Sequence, residues 1–186
     1  MGDRPIDKPF WNQLDIGALR HPDNNEKDAD PGAILLASCP GLRGHGIAND
    51  VDIKTDIERL AAAGAGFVLS LLEADDRVRL GVNALDDITT KAGLGYASFP
   101  IRDHDIPHAS QTAELHHLLD DLATYIRKGQ TIAIHCQAGL GRTGMIAGVL
   151  LGRFGIEGAA AIMAIRQARP GSIETEAQED FVRGWV

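Results

Sequence analysis

The sequence predicts an α/β fold, a central, mostly parallel sheet flanked by helices. Three observations carry this. Short aliphatic runs alternate along the chain with longer helical patterns, as in repeated strand–helix–strand units. The clearest run, Thr131-Ile132-Ala133-Ile134, is apolar on both faces, which suits a parallel strand buried on both sides. A glycine-rich segment, Cys136 to Gly144, joins that strand to an apolar helix. Sheets of this kind open ligand sites at such strand-to-helix loops.

In chain order, residues 1–31 are polar and rich in Asp, Asn and Pro, and are expected to form an arm partly ordered through Phe10, Trp11 and Leu14. Residues 32–186 are expected to form one domain. Ile34–Ala37 reads as a strand. Asn49–Ala63 reads as a helix, with Asp50 or Asp52 as its cap and Gly64 as its stop. Phe67–Leu72 is the next strand. Residues 75–92 hold one or two short helices broken near Gly81, and Tyr96–Pro100 is again strand-like. Ser110 is expected to cap a long helix whose apolar stripe is Leu115, Leu118, Leu119, Leu122 and Ile126, ending at Lys128-Gly129. Met145–Phe154, Ile156–Arg169 and Thr175–Val186 complete the helices.

Composition narrows the function. The chain has 186 residues, 44% of them hydrophobic, enough for one core. Its net charge of −8, from 18 basic and 26 acidic residues, disfavours a general nucleic-acid or anionic-membrane binder. No eighteen-residue apolar run predicts a membrane span, and the N-terminus has no apolar signal core. Gly2 lacks the downstream Ser or Thr of a myristoylation signal. With two cysteines only, the expected compartment is the reducing cytoplasm.

The chemistry concentrates in His135-Cys136-Gln137-Ala138-Gly139-Leu140-Gly141-Arg142-Thr143-Gly144. Free N–H groups and the helix dipole favour an anion at a helix N-terminus, and such a setting favours a thiolate over a thiol. Gly139, Gly141 and Gly144 let the backbone turn its N–H groups inward, so that Gln137, Ala138, Gly139, Leu140 and Gly141 can cradle a phosphate. The planar fork of Arg142 matches two phosphate oxygens. Cys136 is then the nucleophile of phosphoester cleavage through a phosphocysteine. Thr143 is expected to donate a hydrogen bond to the sulfur, and His135 to tie the loop to its surroundings. No Lys-Ser or Lys-Thr pair closes the loop, which excludes an ATP-binding glycine loop. Leaving-group expulsion needs an acid, and Asp103 and Asp105 compete for that role.

The loop resembles the active-site loop of cysteine-dependent protein tyrosine and dual-specificity phosphatases, most closely the kinase-associated and mitotic-exit branches. Phe99-Pro100-Ile101-Arg102-Asp103-His104-Asp105-Ile106-Pro107 is similar to the general-acid loop of those branches, in which an aspartate precedes a proline by four positions. That resemblance implies Asp103 as the acid. Ala168-Arg169-Pro170-Gly171-Ser172-Ile173-Glu174-Thr175, with Gln178 and Phe181, is similar to their C-terminal segment. It implies Gln178 as a water-positioning residue, against the plain reading of a polar helix face. The resemblance covers about Ala33 to the end and makes residues 32–186 a catalytic domain. It implies no metal and no cofactor. A cysteine this late in the chain argues against low-molecular-weight phosphatases and arsenate reductases.

The function expected is that of a dual-specificity or tyrosine protein phosphatase. Classical tyrosine-specific enzymes carry a long tyrosine-containing loop, which is not found here. The alternatives are a small-molecule or lipid head-group phosphatase of the same mechanism and, more remotely, a phosphate-binding module without catalysis. Gln137 and Leu140 stand where lipid-directed loops often carry lysines. Cys39 reads as a buried small residue, with a reversible disulfide to Cys136 as the alternative. His104, His108, His116 and His117 have no metal-site spacing. Arg77, Arg79, Arg102, Arg142, Arg166 and Arg169 could supply a local basic pocket, against the plainer reading of ordinary solvated arginines. Substrate and oligomeric state are left open.

Overall fold

The computed structural model describes residues 9–19, 31–43 and 46–185. A five-stranded sheet runs in the order β1-β2-β5-β3-β4. The strands are β1 (Trp11–Asp15), β2 (Ala33–Ala37), β3 (Ala65–Ser70), β4 (Gly95–Ser98) and β5 (Thr131–His135). β1 pairs antiparallel with β2, and every other pairing is parallel. The sheet is therefore mostly parallel, as its apolar runs predict. β5 lies at its centre, paired with β2 on one side and β3 on the other.

Side-chain alternation along the strands divides the core in two. Ile34, Leu36, Leu69, Ile132 and Ile134 pack on one face, against α5 (Thr112–Arg127), α6 (Gly141–Leu151), α7 (Gly158–Ala168) and α8 (Glu176–Gly184). Leu35, Ala37, Val68 and Ala133 face the other way, against α2 (Asp50–Ala62), α3 (Ala74–Leu80) and α4 (Leu85–Lys91). A short α1 (Ile16–Leu19) places Ile16 in the first cluster.

Several boundaries differ from expectation, each for a local reason. The expected arm, residues 1–31, contains a strand: Trp11–Asp15 pairs residue by residue with β2. Its pattern is faint because within the strand only Leu14 is buried. Asn49, rather than Asp50 or Asp52, caps α2, accepting the Asp52 N–H at 3.0 Å. The entry to α5 is a 3₁₀ turn, Ala109–Gln111, capped by His108 and not by Ser110. The break near Gly81 is where it is expected: that residue, at φ +71°, divides the 75–92 region into α3 and α4. α6 begins at Gly141, four residues before the expected Met145, so Arg142 and Thr143 lie in its first turn.

Candidate active site

β5 ends at His135, and the next residue, Cys136, lies between the central strand and the N-terminus of α6. The thiol is buried, at 3% exposure. Its Sγ accepts the Gly139 N–H at 3.3 Å, so the loop folds back over the sulfur. Gly139 has φ +73°, and a Cβ there would meet the Ala37 carbonyl oxygen at 2.2 Å. Both facts require glycine at this position. Arg169 secures the outside of the loop: it donates to the Ala138 carbonyl at 3.0 Å and to the Leu36 carbonyl at 3.0 Å. It reads in sequence as a solvated arginine, but it is a clamp between loop and sheet.

His135 is fully buried and its Nδ1 lies 3.1 Å from the Cys136 carbonyl. A carbonyl only accepts, so Nδ1 carries the proton. Burial pushes the imidazole pKa down to about 4, with the Arg142 charge acting in the same direction. A neutral histidine therefore ties the loop to its strand.

Arg142 is 1% exposed. Its Nη1 edge is fully occupied, donating to Asp76 Oδ2 at 2.7 Å and to the Ile101 carbonyl at 3.0 Å. Its Nε and Nη2 are buried without a hydrogen-bond acceptor among the described residues. Nη2 lies 2.9 Å from Asp103 Oδ1, an ion pair whose angle falls short of a hydrogen bond. Burial works against the guanidinium charge. The Asp76 hydrogen bond and the charges of Cys136 and Asp103 outweigh it and hold the pKa above its ordinary value.

Asp76, on α3, is the participant that sequence reasoning missed. It reads as one acid among Glu73, Asp75 and Asp76 on a surface helix, yet it is only 7% exposed and spans Arg142 and Arg79. Burial raises its pKa, but the hydrogen bonds from Arg142 and Arg79 prevail and hold the carboxyl below its usual value. Arg79 continues the chain, donating to Gln137 Oε1 at 2.9 Å. Gln137, Arg79, Asp76, Arg142 and Asp103 thus form one polar network across the mouth of the loop.

Both aspartates accept their following N–H, Asp103 from His104 at 3.2 Å and Asp105 from Ile106 at 2.9 Å, but of the two only Asp103 forms an ion pair with Arg142. Gln178 is completely buried and bridges Glu174 N and the Asp105 carbonyl. Gly141 leaves it room: a Cβ there would come within 3.0 Å of Gln178 Oε1. Thr143 Oγ1 is buried with no hydrogen-bond partner among the described residues, so the expected bond to sulfur is not made here. Cys39 lies in the core cluster opposite that of Cys136 and donates its N–H to the Gln137 carbonyl at 2.9 Å. Both thiols are buried and free in this structure. His108 lines a cleft of about 620 Å³ beside the acid loop. His116 is engaged by Trp185 and Arg153.

Residues 47–182 match the family described as the Swiss Army Knife protein, DSP-PTPase phosphatase domain (PTP-SAK). The chain belongs to this family. Among curated proteins it is 30% identical over 145 residues to protein tyrosine phosphatase domain-containing protein 1 of Bos taurus, covering 76% of this chain. That match spans only 16% of the bovine protein's length. It is 27% identical over 150 residues to cyclin-dependent kinase inhibitor 3 of Rattus norvegicus, covering 79% of this chain and 68% of that protein. The fold is shared with kinase associated phosphatase, at a TM-score of 0.77 and 21% identity over 95% of this chain and 93% of the other. It is shared also with PTPMT1 in complex with PI(5)P, at a TM-score of 0.65 and 20% identity over 82% and 88% of the two chains.

Proposed function

We propose that this chain is a cysteine-dependent phosphomonoesterase acting on phosphorylated protein, with dual or tyrosine specificity. The observation that carries the reading is the Nε–Nη2 edge of Arg142, buried with no hydrogen bond among the described residues and facing only the Asp103 carboxylate, beside a buried thiol that accepts the Gly139 N–H. A phosphate accepting from that edge and from the N–H groups of Gln137, Ala138, Gly139, Leu140 and Gly141 would bring its phosphorus to Cys136. Sγ attacks phosphorus and the P–O bond to the leaving group breaks. Asp103 gives its proton to the departing oxygen. Water then attacks the phosphocysteine, Asp103 takes a proton from that water, and the S–P bond breaks to return the thiolate. Thr143 would stabilise the departing sulfur by rotating its unused hydroxyl. Arg142, its Nη1 side fixed by Asp76, carries the phosphoryl charge in both steps. A thiolate nucleophile requires a reducing compartment, which supports the cytoplasm.

A second reading is supported by Arg79. Its side chain is 53% exposed at the mouth of the loop, a cation available to a second phosphate of a lipid head group or inositol phosphate. The test is hydrolysis of an aryl phosphate by wild type and Cys136→Ser, with chelator and reductant, followed by phosphopeptides and inositol phosphates. Turnover by the wild type alone supports the mechanism; faster turnover of inositol phosphates than of phosphopeptides favours the second reading. Equal rates in wild type and Cys136→Ser overturn both.

A further inference from the structure

The segment 172–178 touches both halves of the site. The Ile173 N–H donates to the Leu140 carbonyl at 3.3 Å, and Glu174 and Gln178 pack over Gly141. On its other side, Gln178 Nε2 donates to the Asp105 carbonyl at 3.2 Å, and Thr175 Oγ1 makes a long contact of 3.5 Å to the His104 carbonyl. Residues 104 and 105 immediately follow Asp103, and His104 has φ +61°, a left-handed conformation that is uncommon for a residue with a side chain. Within 103–105, the side-chain bonds are Asp103 and Asp105 to their following N–H groups. The Asp105 N–H closes the turn from within on the Arg102 carbonyl at 3.1 Å, and from outside it is held by Gln178 of α8 and by the cap residue Thr175.

We infer that Gln178 is a positioning residue for the general acid, a buried latch by which α8 holds the 103–105 turn so that Asp103 meets Arg142. This deepens the proposed function and rests on it. The amide can lie only one way. Oε1 accepts the Glu174 N–H at 3.1 Å while the NH₂ donates to the Asp105 carbonyl. Turned over, it would set donor against donor and acceptor against acceptor. Both ends of the amide are thus engaged in joining α8 to the 103–105 turn.

Gln178→Glu is nearly isosteric. It keeps the acceptor for Glu174 N–H but points a carboxylate at the Asp105 carbonyl, while Gln178→Ala removes both bonds. The experiment measures kcat/KM on aryl phosphates whose phenols differ in acidity, for wild type, Asp103→Asn and both Gln178 variants. An acid matters most for the poorest leaving groups. The latch predicts that both Gln178 variants lose about tenfold more on the poorest leaving group than on the best, following the trend of Asp103→Asn. A uniform loss across the series overturns it. So does an accumulating phosphocysteine with unchanged leaving-group dependence, which would make Gln178 a water-positioning residue. Amide hydrogen exchange supplies a readout independent of turnover: residues 102–107 should exchange faster in both variants while 136–144 do not. Unchanged exchange at 102–107 overturns the latch. Absence of turnover in the wild type contradicts the proposed function, and the exchange result still decides the latch.

Discussion

Arg142 Nη2 and Asp103 Oδ1 lie 2.9 Å apart, so the same guanidinium edge that would receive a phosphate faces the carboxylate that would protonate the leaving group. A substrate must take over that edge from Asp103.

Asp103→Asn should therefore separate binding from turnover. Loss of the acid lowers the aryl phosphate rate by roughly a hundredfold or more at neutral pH. Removing the competing charge tightens inhibition by vanadate or phosphate several-fold. Asp105→Asn should change either quantity little. Steady-state kinetics of the two variants check this; the reverse assignment would place the acid at Asp105.

Asp76 anchors the other side of the guanidinium. Asp76→Asn removes the charge that binds Arg142 Nη1 and Arg79 together, and should lower kcat/KM by about tenfold or more through misplacement of the fork. Arg142→Lys should be worse, since a point charge cannot replace two parallel donors. Near-normal kinetics in Arg142→Lys would contradict the bidentate account.

The loop itself was legible in sequence because its information is local: Cys136, Arg142 and the glycines fall within one turn between recognisable elements. The resemblance around Pro107 pointed to Asp103, and the structure sets that carboxylate 2.9 Å from Arg142 Nη2. Asp76 was not, because its partner lies 66 residues away and nothing in Ala74-Asp75-Asp76 marks one acid as buried. Arg169 was hidden in the same way, its bonds to Ala138 and Leu36 being wholly tertiary. The strand Trp11–Asp15 escaped notice because an edge strand with one buried side chain needs little hydrophobic pattern.

Gly139→Ala tests the loop's backbone. The added Cβ would meet a carbonyl of β2, and φ +73° is strained for alanine. A cost of about 1–3 kcal/mol is expected for such strain. Thermal denaturation should show a lowered midpoint, and oxyanion binding should be lost with it. Retention of both would mean that the loop tolerates another path.

His135 should make stability fall in mild acid. Its folded pKa of about 4 lies below the ordinary 6.5, so between these values the unfolded chain binds the extra proton. Stability is therefore lost as pH falls through this window, by roughly 3 kcal/mol once pH 4 is reached. Urea denaturation at pH 7 and pH 5 should show a steeper decline for wild type than for His135→Asn. Parallel declines would contradict the buried neutral imidazole.

The central claim is a covalent bond between phosphorus and Cys136 Sγ. Its most direct test is rapid acid quenching of the wild type during aryl phosphate turnover, with mass spectrometry of the peptide containing Cys136. The account predicts a phosphoryl group on Cys136 in the wild type, and none on sulfur, with no turnover, in Cys136→Ser. Turnover without a phosphoryl-cysteine, or turnover retained in Cys136→Ser, would contradict it.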